Sequence, residues 1–277
     1  MVDWQVAKLV EAHDETATAR TLTFEIAGWP GHLAGQHVDV RVTAPDGYQA
    51  SREYSIASGA APAAGAAPAA GAADAMGGAG ATSTSGAPGG STLVELSVEE
   101  LDDGEVSPYL VRGLELGDHL EVRGPVGGYF VWEPSQSEPV QLIAGGSGVV
   151  PLMSMLRTHG AAVAGAGPAG HPSPMRLLYS VRAPEYVFYG DELRRPAALA
   201  DTSMTIDFVY TREAPSGADR SVGRLTRAEL ETLSLPVAGN PLTYVCGPNG
   251  FVEQIAGWLV ELGHPAERVR TERFGGV

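Results

Sequence analysis

The chain has 277 residues, a length for which two compact domains are the default expectation. Its formal net charge of -15 argues against a nucleic-acid partner, because binding to a phosphate backbone depends on clustered Lys and Arg. The single cysteine, Cys246, excludes an intramolecular disulfide and a cysteine metal cluster, and the histidine spacing indicates no metal site. We find neither a secretory signal nor an apolar run of about 20 residues, so we expect a cytoplasmic protein without a membrane span.

Residues 1–134 contain short strand-like segments in which apolar and polar residues alternate, with turns between them. Six such segments, with one short helical candidate at residues 107–114, predict an antiparallel β-barrel. Residues 59–91 interrupt this pattern with Ala, Gly, Pro, Ser and Thr and almost no large apolar side chain. Such a run cannot bury enough surface to offset its ordering entropy, so we interpret it as a disordered, low-complexity insertion.

Residues 135–277 alternate apolar strands with amphipathic helical segments, which predicts an α/β domain with a doubly wound parallel sheet. We place the boundary between the two domains near Pro134. A second run rich in Ala, Gly and Pro, residues 161–174, follows a helical segment and precedes a strand, so we predict a connecting loop there.

A glycine cluster, Gly145, Gly146 and Gly148, directly follows an apolar strand and precedes a helix with Pro151 in its first turn. Glycines allow the backbone to approach a pyrophosphate closely, and a helix N-terminus offers unpaired N–H groups and a favourable dipole. This context favours a nucleotide site, but a tight strand-to-helix turn without a ligand has the same short motif.

Two segments of the first domain carry side chains suited to a phosphorylated, planar ligand. One predicted strand carries Arg52, Tyr54 and Ser55. A guanidinium can bind phosphate bidentately, and a phenol ring can stack on a planar heterocycle. Ser107, which a proline follows, predicts the N-cap of a helix. Taken singly, the first segment is also typical of a surface strand, and the second of simple helix capping. Cys246, which ends an apolar strand, is likewise typical of a buried structural cysteine.

Four motifs in this order resemble the ferredoxin–NADP reductase superfamily: RxYS at residues 52–55, GxxSxxL at residues 104–110, GGxGxxP at residues 145–151 and CGP at residues 246–248. The resemblance covers nearly the whole chain. It implies a β-barrel domain that binds FAD in residues 1–134, followed by an α/β domain that binds NAD(P) in residues 135–277.

The resemblance also implies roles for residues of the barrel domain. Arg52 would contact the flavin phosphate, Tyr54 would stack on the isoalloxazine, and Ser55 would hydrogen-bond near flavin N5. The FAD pyrophosphate would lie against the GxxS segment, at Gly104, Val106 and Ser107.

In the second domain, the resemblance implies that the glycine cluster meets the pyrophosphate of the nicotinamide nucleotide and that Cys246 lies near nicotinamide C4. The closing segment fits the family's last strand, in which an aromatic ring covers the flavin until the nicotinamide displaces it. That ring would be Phe274, with Glu272 as a polar support. An ordinary edge strand has a similar sequence.

Three further residues follow the next two strands, where the resemblance places the adenosine ribose: Ser180, Arg182 and Arg212. Arginines in this position grip a 2′-phosphate, which favours NADPH. Paired surface charges have the same pattern, so NADH and NADPH both stay open.

The resemblance implies an FAD-dependent oxidoreductase that passes electrons from NAD(P)H through the flavin to a separate redox protein, a ferredoxin or an oxygenase component. A single cysteine rules out a fused plant-type iron–sulfur domain, and the acidity of the chain weakens docking to an acidic ferredoxin. The alternatives are a diaphorase or flavin reductase that acts on small acceptors, and a non-autonomous flavin-binding electron-transfer subunit or regulatory module.

Overall fold

The computed structural model describes residues 3–61, 90–166, 173–194 and 204–274. The chain groups into two units, each with a hydrophobic core. The first unit comprises Met1–Asp14, Thr18–Glu133 and Met153–Ala169, and the second comprises Glu15–Ala17, Pro134–Leu152 and Gly170–Val277. The assignment of FAD binding to residues 1–134 and of NAD(P) binding to residues 135–277 stays a prediction.

The first unit contains a six-stranded sheet. Its strands are β1 (Gln5–Thr16), β2 (Ala19–Ala27), β3 (His37–Thr43), β4 (Gln49–Ser55), β5 (Ser91–Glu99) and β6 (His119–Val126). Their order is β4-β3-β6-β1-β2-β5, and the register pairs β3 with both β4 and β6, and β2 with β5, in the antiparallel sense. A bridge between Ile56 and Leu96 joins the end of β4 to β5, so the two edges of the sheet meet. The predicted antiparallel barrel is confirmed.

The alternation of side chains along the strands fills the barrel. On β3, Val38 and Val40 lie in the core, whereas Asp39 lies on the outer face and pairs with Arg123 of β6 at 2.6 Å between Oδ2 and Nη2. Trp29, just after β2, is fully buried in the same core. The period of two that predicts these strands therefore separates a packed face from a charged one.

A short helix of π type, Tyr109–Gly113, packs on this core through Leu110. It begins after Pro108, and the Ser107 hydroxyl oxygen accepts a hydrogen bond from the Leu101 N–H at 3.0 Å. The predicted N-cap role of Ser107 is wrong, because its hydroxyl closes the preceding turn instead.

The second unit contains a five-stranded sheet that is parallel throughout. Its strands are β7 (Val140–Gly145), β8 (Met175–Val181), β9 (Met204–Tyr210), β10 (Leu242–Pro248) and β11 (Val269–Phe274), in the order β11-β10-β7-β8-β9. Within the described residues, the helices that follow strands of this sheet along the chain are α1 (Val149–Ala166), α2 (Gly190–Leu193), α3 (Arg227–Leu233) and α4 (Asn249–Glu261). From Met153 onward, α1 belongs to the first unit. Strands and helices alternate, which confirms the predicted parallel α/β fold.

The centre of this sheet is buried on both faces. Every residue of β7 is buried, as a central parallel strand requires. On one face, Ile143 and Val245 are neighbours across β7 and β10 and pack with Val252 and Ile255 of α4. The apolar run of β7 leads directly into the glycine cluster, so a rigid strand positions that turn.

Two loop predictions differ from the structure. Residues 161–166 belong to α1, so the predicted loop 161–174 is wrong for them; their four alanines favour a helix more than their one glycine opposes it. The described ends of the predicted insertion 59–91 belong to the barrel, because Ala61 pairs with His32 and Ser91 begins β5. Residues 62–89 and 167–172 lie outside the described residues. Within the described ranges, no helix has both the length and the apolar character needed to cross a bilayer.

Candidate functional site

Arg52 of β4 forms an ion pair with Glu105, which lies inside the turn of residues 104–107. The Arg52 Nη2 atom is 2.5 Å from Glu105 Oε2, and Arg52 Nη1 donates to the Ser51 carbonyl at 2.8 Å. The Tyr48 hydroxyl donates to Glu105 Oε1 at 3.0 Å. The fold therefore brings the RxYS and GxxS motifs together, although they are far apart in sequence.

Tyr54 and Ser55 lie in different surroundings on the same strand. Tyr54 is partly buried against the barrel core, and this burial raises the pKa of its phenol to about 12, while the Arg52 charge opposes the shift. The ring is therefore neutral at physiological pH. Ser55 is buried, and it is paired with His37 of β3.

Gly104 occupies a space that a larger residue would overfill. A Cβ at this position would lie 2.6 Å from Ser107 Oγ and 3.0 Å from the Leu101 carbonyl oxygen. The Gly104 N–H donates to the same carbonyl at 2.8 Å, and Val106 is fully buried. Gly104, Val106 and Ser107 thus form one tight turn, beside the Arg52 guanidinium.

The site residues predicted for the second unit lie in the last residues of five parallel strands or just beyond them, and the carboxyl ends of these strands lie at one edge of the sheet. The parallel register aligns the ends of neighbouring strands along that edge. These residues are Gly145, Gly146, Gly148, Ser180, Arg182, Arg212, Cys246, Glu272 and Phe274.

The turn after β7 packs backbone to backbone on the turn after β10. A Cβ at Gly148 would overlap the Cys246 carbonyl oxygen and would lie 2.6 Å from the Gly247 nitrogen. Gly247 has a φ of +155°, and a Cβ there would lie 3.0 Å from the Gly145 carbonyl oxygen. Gly146, with a φ of +56°, also adopts a conformation that favours glycine. The GGxGxxP and CGP motifs therefore form one surface on which glycine is required.

Cys246 lies between the neighbouring strands, in register with Ala144 on one side and Glu272 on the other. It is fully buried. Burial, and to a smaller extent the Glu272 carboxylate, raises the pKa of the thiol well above its ordinary value. The thiol is therefore protonated at physiological pH, which suits a packing or positioning role and not a nucleophile.

Glu272 and Phe274 lie on β11, beside the CGP turn. Phe274 is in register with Pro248, and both Glu272 and Phe274 are partly exposed. An aromatic ring thus ends the strand at the same edge as the glycine turns.

The three residues predicted to surround the adenosine ribose lie on adjacent strand ends. Ser180 is in register with Gly145. Arg182 and Arg212 are exposed, and the Arg212 N–H donates to the Arg182 carbonyl at 2.9 Å. The Arg182 guanidinium lies 6.0 Å from the centroid of the Tyr186 ring. These arginines therefore lie next to each other at the edge of the sheet.

Two residues that shape these sites carry no motif signal. Glu105 occupies a variable position of GxxS, and only the fold shows that it reaches Arg52. The Phe251 ring supports both glycine turns, since a Cβ at Gly145 would lie 2.8 Å from it and one at Gly247 would lie 3.0 Å from it. An apolar residue in the helix turn directly after CGP is the signal that could have identified Phe251.

Comparison with known proteins agrees with this geometry. Residues 142–256 match the family model of the oxidoreductase NAD-binding domain. Over 276 residues the chain is 31% identical to ferredoxin–NADP reductase B of Sorangium cellulosum, covering 97% of this chain and 96% of that protein. It is 34% identical over 139 residues to methane monooxygenase component C of Methylosinus trichosporium, covering 50% of this chain and 38% of that protein. The chain spans less than half the length of several curated relatives that it matches.

A solved structure has the same fold. The chain superposes with a TM-score of 0.74 and 22% identity on the flavohem-like FAD/NAD-binding domain of nitric oxide dioxygenase from Vibrio cholerae O1 biovar El Tor, covering 98% of this chain and 99% of that one. The family model and the match along nearly the whole chain assign it to the class of oxidoreductases that bind FAD and NAD(P). The chain belongs to the ferredoxin–NADP reductase family.

The side chains present fit these cofactors. The Arg52 guanidinium beside a tight glycine-led turn suits a phosphate, and the neutral Tyr54 ring suits a planar heterocycle. In the second unit, the required glycines leave a backbone surface at the start of α1, which suits a pyrophosphate.

Proposed function

We propose that this chain is an FAD-dependent NAD(P)H oxidoreductase that passes electrons from the nicotinamide through the flavin to a separate redox protein, a ferredoxin or an oxygenase component. The observation that carries the proposal is the backbone contact between Gly148 and the Cys246–Gly247 peptide, which joins two nucleotide-binding motifs into one surface. Similarity to ferredoxin–NADP reductase B over 96% of that protein supports it.

In the first unit, Arg52 holds a phosphate of FAD and the turn at Gly104, Val106 and Ser107 binds the pyrophosphate. Tyr54 stacks on the flavin ring system. Because its pKa is about 12, it brings no negative charge to the ring at physiological pH. Ser55 hydrogen-bonds near flavin N5. These contacts fix the orientation of the cofactor, which is the protein's share of such chemistry.

In the second unit, Gly145, Gly146 and Gly148 bind the pyrophosphate of the nicotinamide nucleotide. Cys246 positions the nicotinamide as a neutral thiol, since its burial disfavours the thiolate. By resemblance to the family, Phe274 acts as the aromatic gate of hydride transfer, with Glu272 as its polar support.

The residues that select between NADH and NADPH lie at the ends of β8 and β9. Ser180 contacts the adenosine ribose, and Arg182 and Arg212 bind a 2′-phosphate where the nucleotide carries one. This arrangement favours NADPH and leaves NADH as the alternative donor. The chemistry that bound FAD would supply at these residues is acceptance of a hydride from NAD(P)H and release of its electrons one at a time.

An absorbance spectrum of the purified protein, followed by anaerobic addition of NADH or NADPH, tests the proposal. We expect a flavin band that at least one nucleotide bleaches, and the faster of the two identifies the preferred donor. A protein that shows no flavin band, even after incubation with FAD, would contradict the proposal. A flavin band that neither nucleotide bleaches would favour the non-autonomous subunit.

A diaphorase or flavin reductase that acts on small acceptors is the second candidate function. The net charge of -15 favours it, because an acidic chain repels an acidic ferredoxin. Affinity capture with immobilised ferredoxin and with oxygenase components, at low and at high ionic strength, separates the two functions. Capture by neither, together with rapid reduction of free flavin, would favour the second.

A further inference from the structure

The Arg52–Glu105 ion pair lies at the proposed flavin site. The pair is only half-buried, since the side chains of Arg52 and Glu105 are 53% and 49% exposed. Of the two terminal guanidinium nitrogens, Nη2 donates to Glu105 Oε2 at 2.5 Å and Nη1 donates to the Ser51 carbonyl at 2.8 Å. A phosphate that binds Arg52 through both nitrogens would therefore share Nη2 with Glu105.

The Glu105 carboxylate is held in place from a second side. Its Oε1 atom accepts a hydrogen bond from the Tyr48 hydroxyl at 3.0 Å, while Oε2 accepts from Arg52. Glu105 also follows Gly104 directly, so the carboxylate is attached to the tight turn itself. Its position next to Arg52 is thus fixed by two hydrogen bonds and by the turn.

Stability does not explain this arrangement. An ion pair as exposed as this one contributes little to folding, because solvent screens the charges and two long side chains lose freedom. A phosphate forms stronger, bidentate hydrogen bonds with a guanidinium than a carboxylate that reaches a single nitrogen. The larger effect of Glu105 therefore falls on the binding of an anion at Arg52.

We propose that the Glu105 carboxylate competes with the flavin nucleotide's phosphate for the Arg52 guanidinium and thereby lowers the affinity of the chain for FAD. The inference rests on the proposed function, because it takes Arg52 as the phosphate ligand. Each binding event separates the ion pair and leaves a carboxylate on the turn that holds the pyrophosphate, where like charges repel. Glu105 thus sets how readily the cofactor exchanges.

Substitution Glu105→Gln tests the competition, because it removes the charge and keeps both the shape and an acceptor for the Tyr48 hydroxyl. We expect FAD to bind about 3- to 30-fold more tightly to this variant than to the wild-type apoprotein in low salt, as measured by quenching of flavin fluorescence. The gain should shrink toward none as salt is added, since screening weakens the repulsion between exposed charges.

Glu53→Gln is the matched control. Glu53 follows Arg52 on β4 and faces the opposite side of the strand, where its carboxylate lies 4.0 Å from His37 Nε2. This variant loses the same charge without touching Arg52, so we expect wild-type affinity for FAD. Circular dichroism of all three proteins checks that they are folded.

Unchanged or weaker FAD binding by Glu105→Gln would overturn the inference, because Glu105 would then orient Arg52 for the phosphate. A gain that persists in 1 M salt, or an equal gain in Glu53→Gln, would overturn it as well. These outcomes leave the proposed function intact, whereas a wild-type protein that binds no FAD would contradict the proposed function itself.

Discussion

Position 148 requires glycine, because two backbone segments lie in close contact there. Its Cα lies so close to the Cys246–Gly247 peptide that a Cβ would overlap the Cys246 carbonyl oxygen. The two turns meet without side chains between them, at the point where α1 begins. Such turns at the start of a helix suit a pyrophosphate, because no side chain keeps a ligand away from the backbone.

Replacement Gly148→Ala should separate the two turns, which costs about 1–3 kcal/mol of stability, as overpacking usually does. It should also weaken the binding of NAD(P)H, because the turns together form the proposed pyrophosphate surface. Chemical denaturation measures the first effect, and nucleotide titration the second.

Gly160→Ala, in α1, is the control. Among the described residues, no atom other than the local helix backbone lies within 4 Å of a Cβ added at Gly160. Alanine in a helix interior stabilises by roughly 0.5–1 kcal/mol relative to glycine. A Gly148→Ala protein as stable as wild type, with unchanged nucleotide affinity, would show that the two turns do not need their close contact.

Side-chain hydrogen bonds fix the N-terminus of α3. Thr226 and Glu229 form a capping box, in which Glu229 Oε2 accepts from the Thr226 N–H at 2.9 Å and Thr226 Oγ1 accepts from the Glu229 N–H at 3.3 Å. Arg220 adds an ion pair at 2.9 Å between Nε and Glu229 Oε1. One carboxylate therefore fixes both the start of the helix and the loop before it.

The Glu229 carboxylate should make the stability of α3 depend on pH. Hydrogen bonding to Arg220 first, and then to Thr226, lowers its pKa from 4.5 to about 2 in the folded chain. Its contribution is therefore complete above pH 4.5 and is lost as the pH falls toward 2. We expect the difference in unfolding free energy between wild type and Glu229→Gln to be constant above pH 4.5 and to shrink as the pH falls from 4.5 toward 2. A difference that grows as the pH falls would contradict this.

The connection between β4 and β5 contains the low-complexity segment. Its first residues are held by other parts of the first unit. The Ser58 carbonyl accepts a hydrogen bond from Ser154 Oγ at 2.6 Å. The Ala61 N–H donates to the His32 carbonyl at 3.1 Å, and the Ala61 carbonyl accepts from the His32 N–H at 2.8 Å. The proposed flavin contacts at residues 52–55 precede these anchors. Residues 62–89 are therefore attached beyond a part of the chain that is already fixed.

Replacement of residues 62–89 by a short Gly/Ser linker should leave FAD content and flavin reduction at wild-type levels. Surface connections tolerate large changes in length at small entropic cost. The ratio of flavin to protein absorbance and the rate of anaerobic bleaching by NAD(P)H provide the two measurements. Loss of bound FAD in a folded protein would assign these residues to the cofactor site.

For the whole molecule, sequence periodicity predicts the architecture well. Alternation with period two separates the core and outer faces of β3, and the continuous apolar run of β7 indicates a central parallel strand. The ends of elements are less predictable, because local composition can favour two structures at once. The stretch of residues 161–166 is such a case, since alanine extends α1 where proline and glycine farther on favour a loop.

The candidate sites were predictable to the extent that motifs mark them. Arg52, Gly148 and Cys246 belong to motifs, and the fold places them as expected relative to their own strands. The Arg52–Glu105 pair joins residues 53 positions apart, and no local pattern encodes such a contact. Likewise, the hydroxyl of Ser107 looks like a cap in sequence but serves a neighbouring turn.

The proposed path of electrons through the whole molecule is best tested by the stoichiometry of anaerobic turnover between NAD(P)H and purified ferredoxins, followed by absorbance. With FAD bound, we expect two ferredoxin molecules to be reduced for each NAD(P)H consumed, and no reduction when FAD is removed. If small quinones or free flavin are reduced rapidly while ferredoxins and oxygenase components stay oxidised, transfer to a separate redox protein is contradicted.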